Sequence, residues 1–284
     1  MASNVNPTVR RRRLGQELRR LRELKGMTAE EVAERLLVSQ SKISRLENGR
    51  RSISQRDVRD LCGVYEVEDQ RIVDSLMEMA RDSRQQLVAH VRDIPYSVYI
   101  GLETDAESLR VYEPQLVTGL LQTRAYAEAL VQGALPETST AEIEKRVQVR
   151  MRRQERVTAE TNPLRLWVVL DEAALRRVVG SKLVMREQLE HLIELSQLPH
   201  VTVQVLPFEV GAHPGLNGQY AILEFTDAAD SSVVYLEGVT SDLYLEKAQD
   251  VQKYAVMYEH LRAQSLNVEQ SRQFIAETAK EYAE

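Results

Sequence analysis

TAEEVAERLLVSQSKISRLENGRRSIS, residues 28–54, decides the fold of the N-terminal part of the chain. It opens on Thr28 and Glu31, a T-x-x-E capping box in which each side chain satisfies a backbone N–H at the other's position. Val32, Ala33 and Leu36 then share one side of a short helix, and Ser39 stands as N-cap of the next. That second helix, QSKISRLENG, turns Ile43 and Leu46 inward and stops at Gly49. Two short helices about three residues apart have helix-turn-helix spacing.

Working outward, Leu14, Leu18, Leu21 and Leu24 recur on one stripe of a preceding helix that ends near Gly26. Ser54 with Asp57 opens another helix through Val58, Leu61 and Tyr65, and a further one runs from about Asp69 into RDSRQQLVAHVRD. Beyond Pro95 the texture changes. ESLRVYE (107–113) reads as a short strand, 123–133 as a helix, and 140–157 as a charged helix with Ile143, Val147 and Met151 on its apolar side. LRLWVVL (164–170) and HVTVQVLPF (200–208) are β-branched strands flanking a helix over 182–197, a βαβ-like unit. Three short strands at 219–225, 232–238 and 242–246 read as antiparallel, and two closing helices fill 246–264 and 268–282. The expected fold is α+β overall: an N-terminal all-α helix-turn-helix bundle, then a larger mixed α/β regulatory domain with closing C-terminal helices. The expected borders are a flexible basic arm over 1–13, the DNA-binding domain over 14–70, a helical connector over 71–94, and a regulatory and dimerisation domain over 95–284.

Composition divides along the same line. The 284 residues carry a formal charge of −6, but residues 1–60 hold 15 Lys and Arg against 8 Asp and Glu, while 61–284 hold 22 against 35. A part at +7 and a part at −13 meet different partners. With 43% hydrophobic residues there is material for a buried core. A single cysteine, Cys62, excludes an intramolecular disulfide and a cysteine-cluster zinc site, and among Leu61 and Tyr65 it reads as a small buried hydrophobe. With no apolar leader after Arg10–Arg13 and no long apolar run, the expected location is the cytoplasm at the nucleoid, with no membrane partner.

A helix-turn-helix lays the N-terminal end of its second helix in the major groove, where long polar side chains reach base edges. Gln40, Ser41, Lys42, Ser44 and Arg45 stand there. Gln pairs with adenine and Arg or Lys with guanine, so these are the expected readers. Ser39, Thr28, Arg50, Arg51 and Arg13 are the expected backbone contacts, and Glu47 reads as structural, a partner for Arg or for backbone amides.

The acidic remainder has no GxGxxG, Walker loop, HExxH or GxSxG, and its five histidines lack metal-ligand spacing, so no enzyme, metal or cofactor is expected. Asp171 and Glu172 read as a helix N-terminus. Should a small molecule bind, the expected pocket lies near Trp167, His213 and Tyr220, His213 sitting in the loop VGAHPGLNG.

Residues 14–66, through Ala33, Ser39, Ile43, Ser44, Glu47 and Gly49, resemble the XRE/Cro-type helix-turn-helix regulators. One departure is Leu37, at a turn position that family fills with Gly; a non-Gly residue in the left-handed region costs about 1–2 kcal/mol, to be relieved by a different turn or by packing Leu37 on the core. VYEPQLVTGLLQTRAYAEALV, RLWVVLDEAALRRVVGS and VVYLEGVTSDLYLE resemble the C-terminal domain of the actinobacterial Scr-type antitoxin-like (WhiJ-like) regulators, with Thr118 where that family has Pro. The resemblance implies a bundle of about five helices and a homodimeric regulator, usually a repressor of development, secondary metabolism or an adjacent gene, on a palindromic double-stranded DNA operator. It also implies a small protein partner encoded by a neighbouring gene; the candidate docking surface for it is the charged helix around Glu142–Arg156 and the closing helices from Glu246. The alternative is a one-component regulator whose C-terminal domain senses a small molecule.

Overall fold

Apolar side chains at helical spacing build the first of two units into which the chain divides, Met1–Asp105 and Ala106–Glu284. The computed structural model describes residues 9–49, 51, 53–88, 97–226, 232–238 and 242–282. In the first unit these form α1 (Val9–Leu24), α2 (Ala29–Arg35), α3 (Gln40–Glu47), α4 (Gln55–Val64), α5 (Gln70–Val88) and α6 (Ser97–Asp105). Leu14, Leu18, Val32, Ile43, Leu46, Ile53, Val58 and Leu61 make one core with Cys62. Leu24 is not in it: at 100° per residue it has drifted about a quarter-turn off the stripe of Leu14, Leu18 and Leu21, and it faces solvent.

The helix expected to begin the connector belongs to this bundle. Leu76 and Ala80 of α5 are buried in the same core, and Gln55 Nε2 donates to Met77 O at 3.3 Å. The remainder of that expected connector, 89–94, and most of the basic arm, 1–8, lie outside the described residues.

Both expected capping boxes form, at Thr28 with Glu31 and at Ser54 with Asp57. Three helix ends share a single design. At the ends of α1, α2 and α4 the second residue past the cap donates to a carbonyl five back, and the residue before it to a carbonyl three back: Met27 and Gly26, Val38 and Leu37, Val67 and Glu66. This is the Schellman arrangement, which needs a left-handed residue in the middle. Gly26 fills that place without strain, whereas Leu37 at φ 53° and Glu66 at φ 52° do not. Leu37 is 93% exposed, so packing on the core does not relieve it; the two backbone hydrogen bonds hold it.

The second unit is one six-stranded sheet, in the order β3-β2-β1-β4-β5-β6. Its strands are β1 (Ser108–Glu113), β2 (Arg165–Asp171), β3 (Val201–Leu206), β4 (Tyr220–Glu224), β5 (Val233–Leu236) and β6 (Leu243–Leu245). β1, β2 and β3 run parallel, in a register that puts Val111 beside Val168 and Val168 beside Val203. The remaining pairs are antiparallel, as expected for 219–246, so β1 is a central strand with a parallel neighbour on one side and an antiparallel one on the other.

A 3-10 turn at Gly119–Leu121, α7 (Arg124–Ala134) and α8 (Thr140–Gln154) join β1 to β2; α9 (Glu172–Arg176) and α10 (Lys182–Leu195) join β2 to β3. Crossovers of the usual right hand that step in one direction put their helices on one face of a sheet, and here α7 packs on both α8 and α10. The other face, with Tyr112, Val169, Tyr220, Ile222 and Val234, packs on Tyr258 and Leu261 of α11 (Ala248–Gln264).

α12 (Val268–Glu281) and the turn before it close the β3 edge: Leu266 N donates to Val205 O at 2.9 Å and Val205 N to Ser271 Oγ at 3.0 Å. The α+β architecture is as expected, with α6 an added helix. Thr118, at φ −56°, sits where a proline ring would fit, and its buried side chain faces Glu113.

Candidate nucleic-acid interface

The polarity of α3 follows from its wheel. Gln40, Ser44, Asn48, Ser41 and Arg45 fall within about 140° of one another and are exposed, while Ile43, Leu46 and Glu47 occupy the opposite arc and are buried. Four of the five expected readers therefore share one solvent face at the N-terminal end of the helix. Ser39 caps it, its Oγ accepting from Lys42 N at 3.2 Å and lying 3.1 Å from Ser41 Oγ. Arg45 lies along the same face, with Nε donating to Ser41 O at 2.9 Å.

Lys42, the fifth, is about 200° from Gln40 and falls between the two arcs. Its Nζ is 3.2 Å from Asp57 Oδ1 in the first turn of α4, and both side chains are largely covered. The Asp57 carboxylate is itself fixed, since its Oδ2 accepts from Ser54 N at 3.0 Å and Ser54 Oγ at 2.5 Å. Burial pushes the Asp57 carboxyl up, but the hydrogen bonds from Ser54 and the Lys42 ammonium outweigh it and hold the group below the usual carboxylate range.

A buried ion pair sets α3 against α1. Arg22 donates to Glu47 from Nε at 2.7 Å and from Nη2 at 3.0 Å, and its Nη1 donates to Met27 O at 2.7 Å. The carboxylate supports the guanidinium, raising its pKa against the penalty of burial. Glu47 thus has the structural role expected of it. Gly15 lets α1 approach: a Cβ there would stand 2.5 Å from Glu47 O and 2.7 Å from Leu46 O. An unexplained glycine inside a leucine stripe is the sequence signal for such an approach, and the S-x-x-D box was the signal for Asp57.

Thr28 is exposed but engaged as a cap, accepting from Glu31 N at 3.2 Å. Arg51 is exposed past the end of α3, with its N donating to Arg45 O at 3.1 Å. Arg50 and the Arg13 side chain lie outside the described residues. Arg19 and Arg20 pair along α1 with Glu23 and Glu17.

In the second unit, His213 and Tyr220 both pack on Tyr112, with ring centres 5.9 and 6.0 Å away. His213 Nδ1 accepts from Gly215 N at 3.2 Å, and its Nε2 is 3.6 Å from Asp171 Oδ2. The Tyr220 hydroxyl is buried without a hydrogen-bond partner among the described residues, and the Tyr112 hydroxyl is turned toward the Asp171 carboxylate. Trp167 packs against the same cluster as Tyr112 and Tyr220, with its Nε1 donating to Gln204 Oε1 at 2.9 Å and its ring 4.6 Å beneath the Arg262 guanidinium. An open depression of about 200 Å³ lies elsewhere, between the 3-10 turn, α8 and α10, lined by Leu120, Met151, Val157, His191 and Leu195.

Asp171 caps α9, accepting from Ala173 N at 2.9 Å, and Glu172 holds Arg176 and Phe208 N. Much of the charge on α8 is satisfied within the unit: Arg146 binds Glu142, Glu144 binds Arg124, and Arg150 Nη1 donates to Gln122 Oε1 at 2.7 Å. At the end of the sheet the register puts Glu113, Gln219 and Glu237 in one row, with Gln219 Nε2 donating to Glu237 Oε2 at 2.9 Å. Burial and the Glu237 carboxylate push the Glu113 carboxyl up to about 8, against the opposing pull of Thr118 and Arg150. Cys62 is buried and its thiol pushed up by that burial, in keeping with a packing role.

Among the described residues no helix is long and apolar enough to cross a membrane, and no group of His, Cys, Asp or Glu is arranged to hold a metal ion. No curated protein and no solved structure matches the chain. Two family models do. Residues 13–74 match a helix-turn-helix domain, which gives the exposed face of α3 its meaning as part of a DNA-binding domain. Residues 96–277, more than half of the chain, match a domain of unknown function (DUF5753). The chain belongs to the family defined by that second domain, and the helix-turn-helix domain in front of it makes it a DNA-binding regulator.

Proposed function

We propose that the protein is a homodimeric, sequence-specific transcriptional repressor of the Scr-type antitoxin-like (WhiJ-like) kind. In this reading residues 95–284 dimerise and receive a signal from a small protein encoded beside it. The observation that carries the proposal is the exposed row Gln40, Ser41, Ser44 and Arg45, on a helix whose opposite face is clamped by Arg22 and Glu47. One such helix spans only a few base pairs, so two copies on a palindrome supply the specificity that one lacks. The acidic second part opposes non-specific attraction to DNA and suits a controlling role. Gel retardation on the promoter of its own gene, with and without the small neighbouring protein, tests this. A shift that the neighbour strengthens or abolishes is expected, and no retardation at low salt by either preparation refutes it.

A second reading, control by a small molecule, is favoured by the Tyr220 hydroxyl, buried with no partner among the described residues beside Tyr112, because a buried polar atom without a partner marks a place for another molecule. A metabolite that raises the melting temperature of the intact protein but not of Tyr220→Phe would support it. Equal shifts in both proteins would count against it.

A further inference from the structure

The Lys42–Asp57 contact carries a consequence for how DNA is discriminated, which rests on the DNA-binding reading above. Lys42 is the one expected reader that does not share the exposed face of α3. Its ammonium is drawn back to α4, 3.2 Å from a carboxylate that cannot swing away, because the Ser54 amide and hydroxyl both hold the other oxygen. A lysine is a flexible point charge that finds any phosphate within reach, whatever the base sequence. Four polar side chains, by contrast, read base edges with fixed geometry.

We propose that Asp57 is a specificity-determining positioning residue. It retains the Lys42 charge at the α3–α4 junction, so that Gln40, Ser41, Ser44 and Arg45 are the groups that read DNA while indiscriminate phosphate attraction is held down. Lys42 is then a tether between the reading helix and the next one, and the readout set is smaller than the polar residues of α3 suggest.

The test titrates the full-length protein with a random-sequence 30-base-pair duplex over a range of salt, and with a random duplex pool carried through binding selection. Four proteins are compared: wild type, Asp57→Asn, Lys42→Gln and the double variant. Asp57→Asn keeps an oxygen for the Ser54 cap but frees the lysine. It is expected to add about one phosphate contact, steepening the dependence of log affinity on log salt by about 0.9. Between about 50 and 200 mM salt that is roughly a 3.5-fold larger loss of random-duplex affinity. Its selected pool is expected to be less enriched than that of the wild type.

Lys42→Gln is expected to keep the wild-type base preference, and the double variant to return to the wild-type salt slope. That last arm separates a freed charge from a damaged cap, because a damaged cap would not be repaired by removing the lysine. Loss of preference at one base position in Lys42→Gln, or an unchanged salt slope in Asp57→Asn, overturns the proposal. Failure of the wild type to bind the random duplex or to enrich any sequence overturns instead the reading on which it rests.

Discussion

In the first unit the buried charges Arg22 and Glu47 answer each other, and the polar side chains of α3 are left facing solvent. In the second, polar side chains are turned inward and spent on distant backbone. Gln188 accepts from Thr123 N at 2.7 Å and donates to Leu121 O at 2.7 Å; Gln204 donates to Leu266 O; Ser271 accepts from Val205 N. Buried amides and hydroxyls of this kind join elements far apart in sequence, and what they hold together is a scaffold. Polar groups left over on a rigid face are available for a partner. The difference explains why the small unit discloses its chemistry and the large one discloses mainly its architecture.

The comparison can be broken most forcibly at Glu47. Replacing it with Ala leaves the Arg22 guanidinium buried without its carboxylate, a loss of about 3–5 kcal/mol. Hydrogen exchange should accelerate across α1 and α3 while amides of the sheet keep their protection; equal acceleration in both units would show that the pair is not local to the first. Next in size is Gln188→Leu, which strands the Thr123 amide and the Leu121 carbonyl and should cost about 2–4 kcal/mol. Here exchange should quicken in α7 and α10, and DNA retardation by the folded fraction should be unchanged.

Glu113→Gln sharpens the comparison by pH. The folded-state pKa of Glu113 is raised to about 8, so its neutral form contributes stability that is full below the ordinary carboxylate range and is lost as pH rises through about 8. The unfolding free energy of the wild type, from denaturant titration, should therefore fall between about pH 5 and 8 more than that of the variant, by a difference on the order of 1–2 kcal/mol after solvent screening. Parallel pH profiles would remove Glu113 from the account. The smallest effect is expected from Leu37→Gly. It relieves a left-handed leucine but gives the unfolded chain more freedom, for a net gain of up to about 1 kcal/mol in a denaturant titration, with operator affinity unaltered.

Much of this was legible because it is local. A capping box is written within four residues, and those at Thr28 and Ser54 both form as read. The β-branched runs at 164–170 and 200–208 mark strands that are buried on both faces. The inward Glu47 was legible as structural because an acidic side chain does not suit a DNA-facing surface, but its partner stands 25 residues away, beyond any local pattern.

What escaped has the same cause. SVYIGLETD (97–105) lacks a helical stripe, so its pattern does not predict α6. The placing of β4 beside β1, with more than 100 residues between them, depends on pairing that no short motif records. The reading face itself was available from the helical wheel, which sets Lys42 about 200° from Gln40; what the wheel lacks is the carboxylate from α4 that holds the lysine there.

The closed edge of β3 has a practical consequence for anyone who shortens the chain. Leu266 and Ser271 occupy the outward amide and carbonyl of Val205, positions where a strand of another molecule would otherwise add. A version that stops before Leu266 would present Val201, Val203 and Val205 on an unguarded strand, and its copies would stick to one another along it. It would be recovered as precipitate or soluble clumps, so a lost activity in such a fragment would report stickiness and nothing about regulation.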